Sequence, residues 1–175
     1  LPERLRKLEA KRIEGLSADA RHLFDVMVVL DMEATIELVG EIASIEPHAQ
    51  GRALHELSSA GLIQERTEGS HQIVSLRGDR NRAVAYQLIV KDKRSQLHRA
   101  VAASLRRRSR RRSGTFAEVI ASHLLSGGQI GEAYPMLLMA AETTLRSGAN
   151  RPTVKLLEKA ERARATAAGQ HDVVQ

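Results

Sequence analysis

A chain of 175 residues without cysteine cannot carry a disulfide framework, a thiolate metal site or a cysteine nucleophile. With two Phe, two Tyr and no Trp, its core must come from Leu, Ile, Val and Ala, which points to a mainly helical protein of one ordinary domain or two small ones. The formal net charge of +6 is local: "RRRSRRR", Arg106 to Arg112, holds six cations in seven residues, and without it the chain is neutral.

The opening stretch to Leu16 places Leu1, Leu5, Leu8, Arg12 and Leu16 at helical spacing, with charge opposite, and reads as a lead-in helix. Ser17 is suited to cap a following helix, because its hydroxyl oxygen can accept an orphan amide hydrogen of the first turn. That helix carries Leu23, Phe24, Met27, Val28 and Leu30. "DMEAT" ends it, and Thr35 caps a short second helix from Ile36 to Ile42. Pro47, tolerated in a first turn, opens a third helix that runs to about Ser59.

Gly61 then supplies a residue able to take the left-handed conformation that ends helices. From Leu62 the period changes. "LIQER" and "HQIVSL" flank the turn "TEGS" and predict a two-stranded hairpin. Such a hairpin is marginal alone and must lean on the preceding helices, which together predict a winged helix: three helices plus a β-hairpin wing.

Helical spacing returns from Asp79, with Val84, Leu88 and Ile89 apolar, and continues through Leu97, Val101 and Leu105 into the arginines. Thr115 is placed to cap "FAEVIASHLL", whose Phe116, Val119, Ile120 and Leu124 form one stripe. Two further helices, about Glu132 to Ser147 and Pro152 to Ala167, meet across "GAN" and must run antiparallel. Pro135 belongs to a first turn or kinks its helix. Ala133, Ala140, Ala141 and Ala160 allow backbones to approach, and Met136, Leu137, Met139 and Ala140 read as core. Helix pairs of this size are the units of tetratricopeptide-like (TPR-like) arrays.

The expected organisation is therefore mainly α. Residues 1–16 form the lead-in helix, 17–108 a winged-helix domain with following helices, 109–114 a basic linker, and 115–175 TPR-like antiparallel helical hairpins. A truncated array leaves one face uncovered, here near Val154, Leu157 and Ala160, through which two copies could pair. No apolar run reaches the roughly 20 residues of a membrane span. The amino terminus has no signal-peptide core and no initiator Met, so the expectation is a cytoplasmic segment of a longer protein.

Taken in order, "LPERLRKLEAKRIEGLSADARHLFDVMVVL", "ALHELSSAGLIQER", "RAVAYQLIVKDKRSQLHRAVAASL" and "ASHLLSGGQIGEAYPMLLMAAETTLRSGANRPTVKLLEKAERA" resemble the segment after the ATPase core of bacterial STAND-type signal-transduction ATPases. That family includes MalT-like and LuxR-type transcriptional regulators and ATPases associated with nucleotide cyclases. The resemblance implies that the winged helix acts as a regulatory lid on an upstream domain holding ATP or ADP, while downstream repeats receive a ligand or protein signal. Where family members carry a His just after the wing, this chain has Gly78; Arg82 and Tyr86 match the pattern and are candidates for the domain interface.

The chain itself has no G-x-x-x-x-G-K-[ST] loop, no G-x-S-x-G elbow and no H-E-x-x-H spacing among its seven histidines, so neither catalysis, a metal site nor a cofactor in this segment is expected. His98 and His123 read as helix residues bonding a neighbouring carbonyl. DNA is the alternative partner, since a winged helix commonly lays its third helix in the major groove. Candidate nucleic-acid contacts are His48, Arg52 and His55 on that helix and Arg66 and Arg77 on or near the wing, with Arg106, Arg107, Arg108, Arg110, Arg111 and Arg112 in the run. Glu56 and Glu65 oppose phosphate, and the run reads either as a phosphate binder or as a solvated linker.

Overall fold

The computed structural model describes residues 3–109 and 116–172. Among these, nine helices and three strands follow one another: α1 (Glu3–Glu14), α2 (Ala18–Leu30), β1 (Ala34–Thr35), α3 (Ile36–Ala43), α4 (Pro47–Ser59), β2 (Ile63–Glu68), β3 (His71–Leu76), α5 (Asp79–Leu88), α6 (Lys91–Ser109), α7 (Ala117–Ser126), α8 (Ile130–Arg146) and α9 (Asn150–Asp172). The chain divides into two compact units, Leu1–Leu97 and His98–Gln175. The division falls inside α6. The expected linker at 109–114 lies outside the described residues apart from Ser109, the last residue of that helix.

In the first unit, α2 is central, with every residue from Leu23 to Leu30 buried. Burying side chains such as Leu23, Phe24 and Leu30 contributes about 2 kcal/mol each relative to exposure. Ser17 caps α2 as the sequence predicts, its Oγ accepting from the Ala20 amide, and Asp31 ends the helix in the left-handed region at φ 55°. Thr35 Oγ1 likewise accepts from the Leu38 amide at the start of α3, and Pro47 occupies the first turn of α4. Helices α3 and α4 pack on α2, and α5 packs on α1 and α2.

The α1 stripe needs one correction. Arg12 is half exposed beside Glu9, and Ile13, one residue on, takes the fully buried position; burial of Leu1, Leu5 and Leu8 lies outside what is described. In α5, Val84 and Ala85 are buried and Leu88 is exposed.

The hairpin forms as expected, with Glu68 paired to His71 around Gly69 at φ 59°. Gly61, at φ 67°, lets the Leu62 amide return to the Leu57 carbonyl and closes α4. The sheet, however, has three antiparallel strands in the order β1-β3-β2, not two. Ala34 and Thr35 pair with Val74 and Ile73. This answers how a hairpin survives: β3 is a central strand, and its Val74 is fully buried beneath it.

In the second unit, α7, α8 and α9 enclose a core of Ala117, Ala121, Leu137, Ala140, Ala141, Leu156, Ala160 and Ala163. Helices α8 and α9 form the expected antiparallel hairpin, with the hydroxyls of Thr144 and Thr153 2.9 Å apart across it. Small side chains bring the helices close, as the alanine spacing predicts. Three details differ. Phe116 precedes α7 as its N-cap, so that Ala117 and Ala121, rather than Phe116 and Val119, accompany Ile120 and Leu124 inward; Thr115 lies outside the described residues. Pro135 sits within α8 beyond its first turn, because the helix begins at Ile130. Leu137 and Ala140 are core, whereas Met139 is exposed. No helix among the described residues is long and apolar enough to cross a membrane.

Candidate interaction surface

Pro47 sets the first turn of α4, which buries Gln50, Ala53, Leu54 and Leu57 and leaves the opposite face in solvent. His48, Arg52 and His55 share that exposed face at helical spacing. Arg66, on β2, is differently placed. Its guanidinium donates to Glu33 at 2.6 Å and to Glu68 at 2.7 Å, and these bonds, Glu33 first, raise its pKa. A phosphate would have to displace both carboxylates. Arg77 is exposed just after β3.

Arg106 pairs with Glu132 of α8. Arg107 donates to Ser104 at 2.8 Å, and Arg108 is exposed in the same last turn of α6. Arg110, Arg111 and Arg112 lie outside the described residues. The expected nucleic-acid residues therefore fall into three groups: the α4 face, the sheet with its paired arginine, and the end of α6.

Alongside α4 runs an open cleft of about 880 Å³ between α3, α4 and the β2–β3 hairpin. Ile36, Ile45, Pro47 and Leu54 provide apolar surface, and Glu37, Glu41, Glu46 and Glu65 provide carboxylates. No Lys or Arg lines it among the described residues, and His55 alone there can carry positive charge. The carboxylates come from α3, from Glu46 just before α4 and from β2, so α4 is flanked by acidic surface along the cleft.

Gln50, only 8% exposed, forms part of the wall. Its Nε2 donates to the Ile36 carbonyl at 2.5 Å, while its Oε1 accepts no hydrogen bond from the described residues. Gly40 makes this possible, since a Cβ there would lie 2.6 Å from Gln50 Cδ. The sequence marks Glu65 only as opposing phosphate, and the cleft as a whole is not legible there, because its residues come from three elements that only folding assembles.

The two candidates for a domain interface are engaged within the first unit. Arg82 forms an ion pair with Asp31 at 2.6 Å, and the Arg94 guanidinium lies 5.0 Å from the centre of the Tyr86 ring. On α9, Val154 and Leu157 are exposed as expected, at 54% and 46%. Ala160 is corrected: at 2% exposure it belongs to the buried face with Leu156 and Ala163, one helical stripe away.

Titratable groups inside the units reveal two features missed in the sequence. Asp25 of α2 is 2% exposed and accepts from Arg21 at 3.0 Å and from Lys93 at 2.8 Å. His98 and His123 face one another, Nδ1 to Nδ1 at 2.8 Å, with both residues buried, a pairing the sequence did not announce. Burial, followed by the neighbouring His98, lowers the His123 pKa to about 4. No group of three His, Cys, Asp or Glu side chains among the described residues is arranged to hold a metal ion. Comparison with known proteins gives no relative, as neither a protein-family model nor a curated protein sequence matches the chain.

Proposed function

We propose that this chain is a non-catalytic regulatory and protein-interaction segment of a larger bacterial ATP-dependent transcriptional or signalling regulator. In this reading α2, α3 and α4 with the small sheet constitute a winged helix, and α7 to α9 begin a TPR-like array. The ATP or ADP is held by an upstream domain, and the segment works in the cytoplasm through contacts with that domain, with downstream repeats and with other proteins.

One observation carries the choice of protein over DNA. The cleft beside the third helix of the winged helix presents four glutamates and no lysine or arginine among the described residues. A DNA reader gains most of its affinity from cations placed against phosphates, and carboxylates at that position oppose approach. Arg66, the cation on the wing strand, is already neutralised by Glu33 and Glu68.

Anisotropy of a labelled DNA duplex, titrated with the chain at several salt concentrations, tests this reading. Any retention is expected to come from the arginine run: it should disappear in Arg110→Ser/Arg111→Ser/Arg112→Ser and persist in Arg52→Ala. Retention that survives the triple substitution, falls steeply with salt and is lost in Arg52→Ala would establish the DNA-binding alternative. A G-x-x-x-x-G-K-[ST] loop encoded upstream in the same gene is the further expectation of the regulator assignment.

A further inference from the structure

We propose that the cleft between α3, α4 and the β2–β3 hairpin is the docking site for an arginine- or lysine-bearing segment of a partner protein. The inference rests on the interaction-module reading and adds the chemistry of the partner.

Charge is the first argument. Glu37, Glu46 and Glu65 are exposed around the cleft and make no ion pair with the described residues, although the chain as a whole carries +6. Elsewhere the exposed carboxylates of Glu33, Glu68, Glu132, Glu142 and Glu161 are each paired with an arginine, and those without an ion pair among the described residues, such as Glu14, Asp19 and Glu158, do not line the cleft. Glutamates left unmatched along one cleft create a local negative field, which attracts a basic segment.

Distribution is the second argument. No three acidic or histidine side chains among the described residues converge as ligands for one ion, so the carboxylates are spread along the cleft rather than gathered at a point. A spread row suits successive cationic side chains of an extended segment, not a single metal ion. The apolar surface of Ile36, Ile45, Pro47 and Leu54 suits the aliphatic stems of Arg and Lys and an intervening apolar residue.

Gln50 supplies an independent indication. Its side chain is more than nine-tenths buried, yet its Oε1 has no hydrogen-bond donor among the described residues and is not sealed from solvent. Lining the cleft, it is an acceptor held in place by the bond from its own Nε2 to Ile36. Apart from His55, the charged side chains on the cleft are all carboxylates, and Ser44, Gln50 and Gln72 add neutral oxygens able to accept, so the complementary occupant is a donor-rich cation. The volume accommodates several residues of peptide.

The test uses the full chain and an array of labelled decapeptides that alternate Arg or Lys with apolar residues, with Glu counterparts as controls. Binding to the basic peptides and none to the acidic ones is expected. Glu37→Gln/Glu46→Gln/Glu65→Gln should weaken it about tenfold or more, three surface charge contacts acting together. Glu14→Gln/Glu142→Gln/Glu158→Gln, which removes as many exposed carboxylates away from the cleft, should leave it unchanged. All six positions are exposed, and circular dichroism checks that both variants fold.

Failure of every basic peptide to bind, or equal loss in the two triple variants, overturns the proposal. Spermine competing as effectively as the best peptide overturns the assignment to a protein segment. These outcomes are distinct from Arg52-dependent retention on DNA, which would instead remove the interaction-module reading.

Discussion

Acidification should destabilise the second unit through the paired histidines. At 2.8 Å one Nδ1 must donate and the other accept, so a single proton lies between the two Nδ1 atoms and the accepting ring keeps its own on Nε2. Protonating the acceptor sets two N–H groups against each other in a buried site. Burial first, and then the neighbouring His98, make the folded state resist protonation, and His123 titrates at about 4 rather than at the ordinary 6.5. Unfolded chain has no such restriction and binds the proton first as pH falls.

The stability contributed by neutral His123 is thus complete above about pH 6.5, declines as pH falls, and is exhausted near pH 4. Its size is about 3 kcal/mol, lost at up to roughly 1.4 kcal/mol per pH unit. Urea unfolding followed by circular dichroism, with histidine ring signals followed by NMR, measures both quantities. In His98→Leu/His123→Leu, which fills the site with apolar groups, that part of the pH dependence should vanish, leaving only carboxylate titration. A wild-type ring that protonates near 6.5, or an identical pH slope in the double variant, would refute the reasoning.

Asp25→Ala should lower the stability of the first unit by about 1–2 kcal/mol in chemical denaturation, because it removes the buried carboxylate to which the partly exposed Arg21 and Lys93 donate; Asp25→Asn should cost less, and equal, negligible effects would dismiss the network. Gly40→Ala should cost about 1–3 kcal/mol by displacing the Gln50 amide, and Gln50→Ala in that background should recover part of the loss; strict additivity in the double-mutant cycle would contradict the packing. Ser17→Ala should cost about 1 kcal/mol for the lost cap of α2. It also removes the Oγ bond to Glu56 at 2.6 Å, the main cause of that carboxyl's lowered pKa. Because the folded pKa lies below the ordinary carboxylate value of 4.5, this contribution is present above that pH and lost as pH falls through the folded value, so the stability gap between variant and wild type should narrow on acidification.

Sequence alone determined what depends on neighbours along the chain. Ser17 and Thr35 announce helix starts because a hydroxyl oxygen reaches an amide three residues on. Pro47 and Gly61 bracket α4 because one fixes its torsion and the other tolerates positive φ. The change of period after Leu62 located the hairpin, and the alanines of α8 and α9 located their contact.

Tertiary structure decided what depends on distance in sequence. Two residues, Ala34 and Thr35, are too short to announce a strand and become one only where β3 offers a free edge. Lys93 reaches Asp25 across 68 positions, and His98 meets His123 across 25. Ala160 turned inward because Leu156 and Ala163 fix the buried stripe of α9. The acidic cleft exists only once α3, α4 and the hairpin stand together: periodicity assigns a residue to a face, and the neighbours of that face are set by the packing of the whole unit.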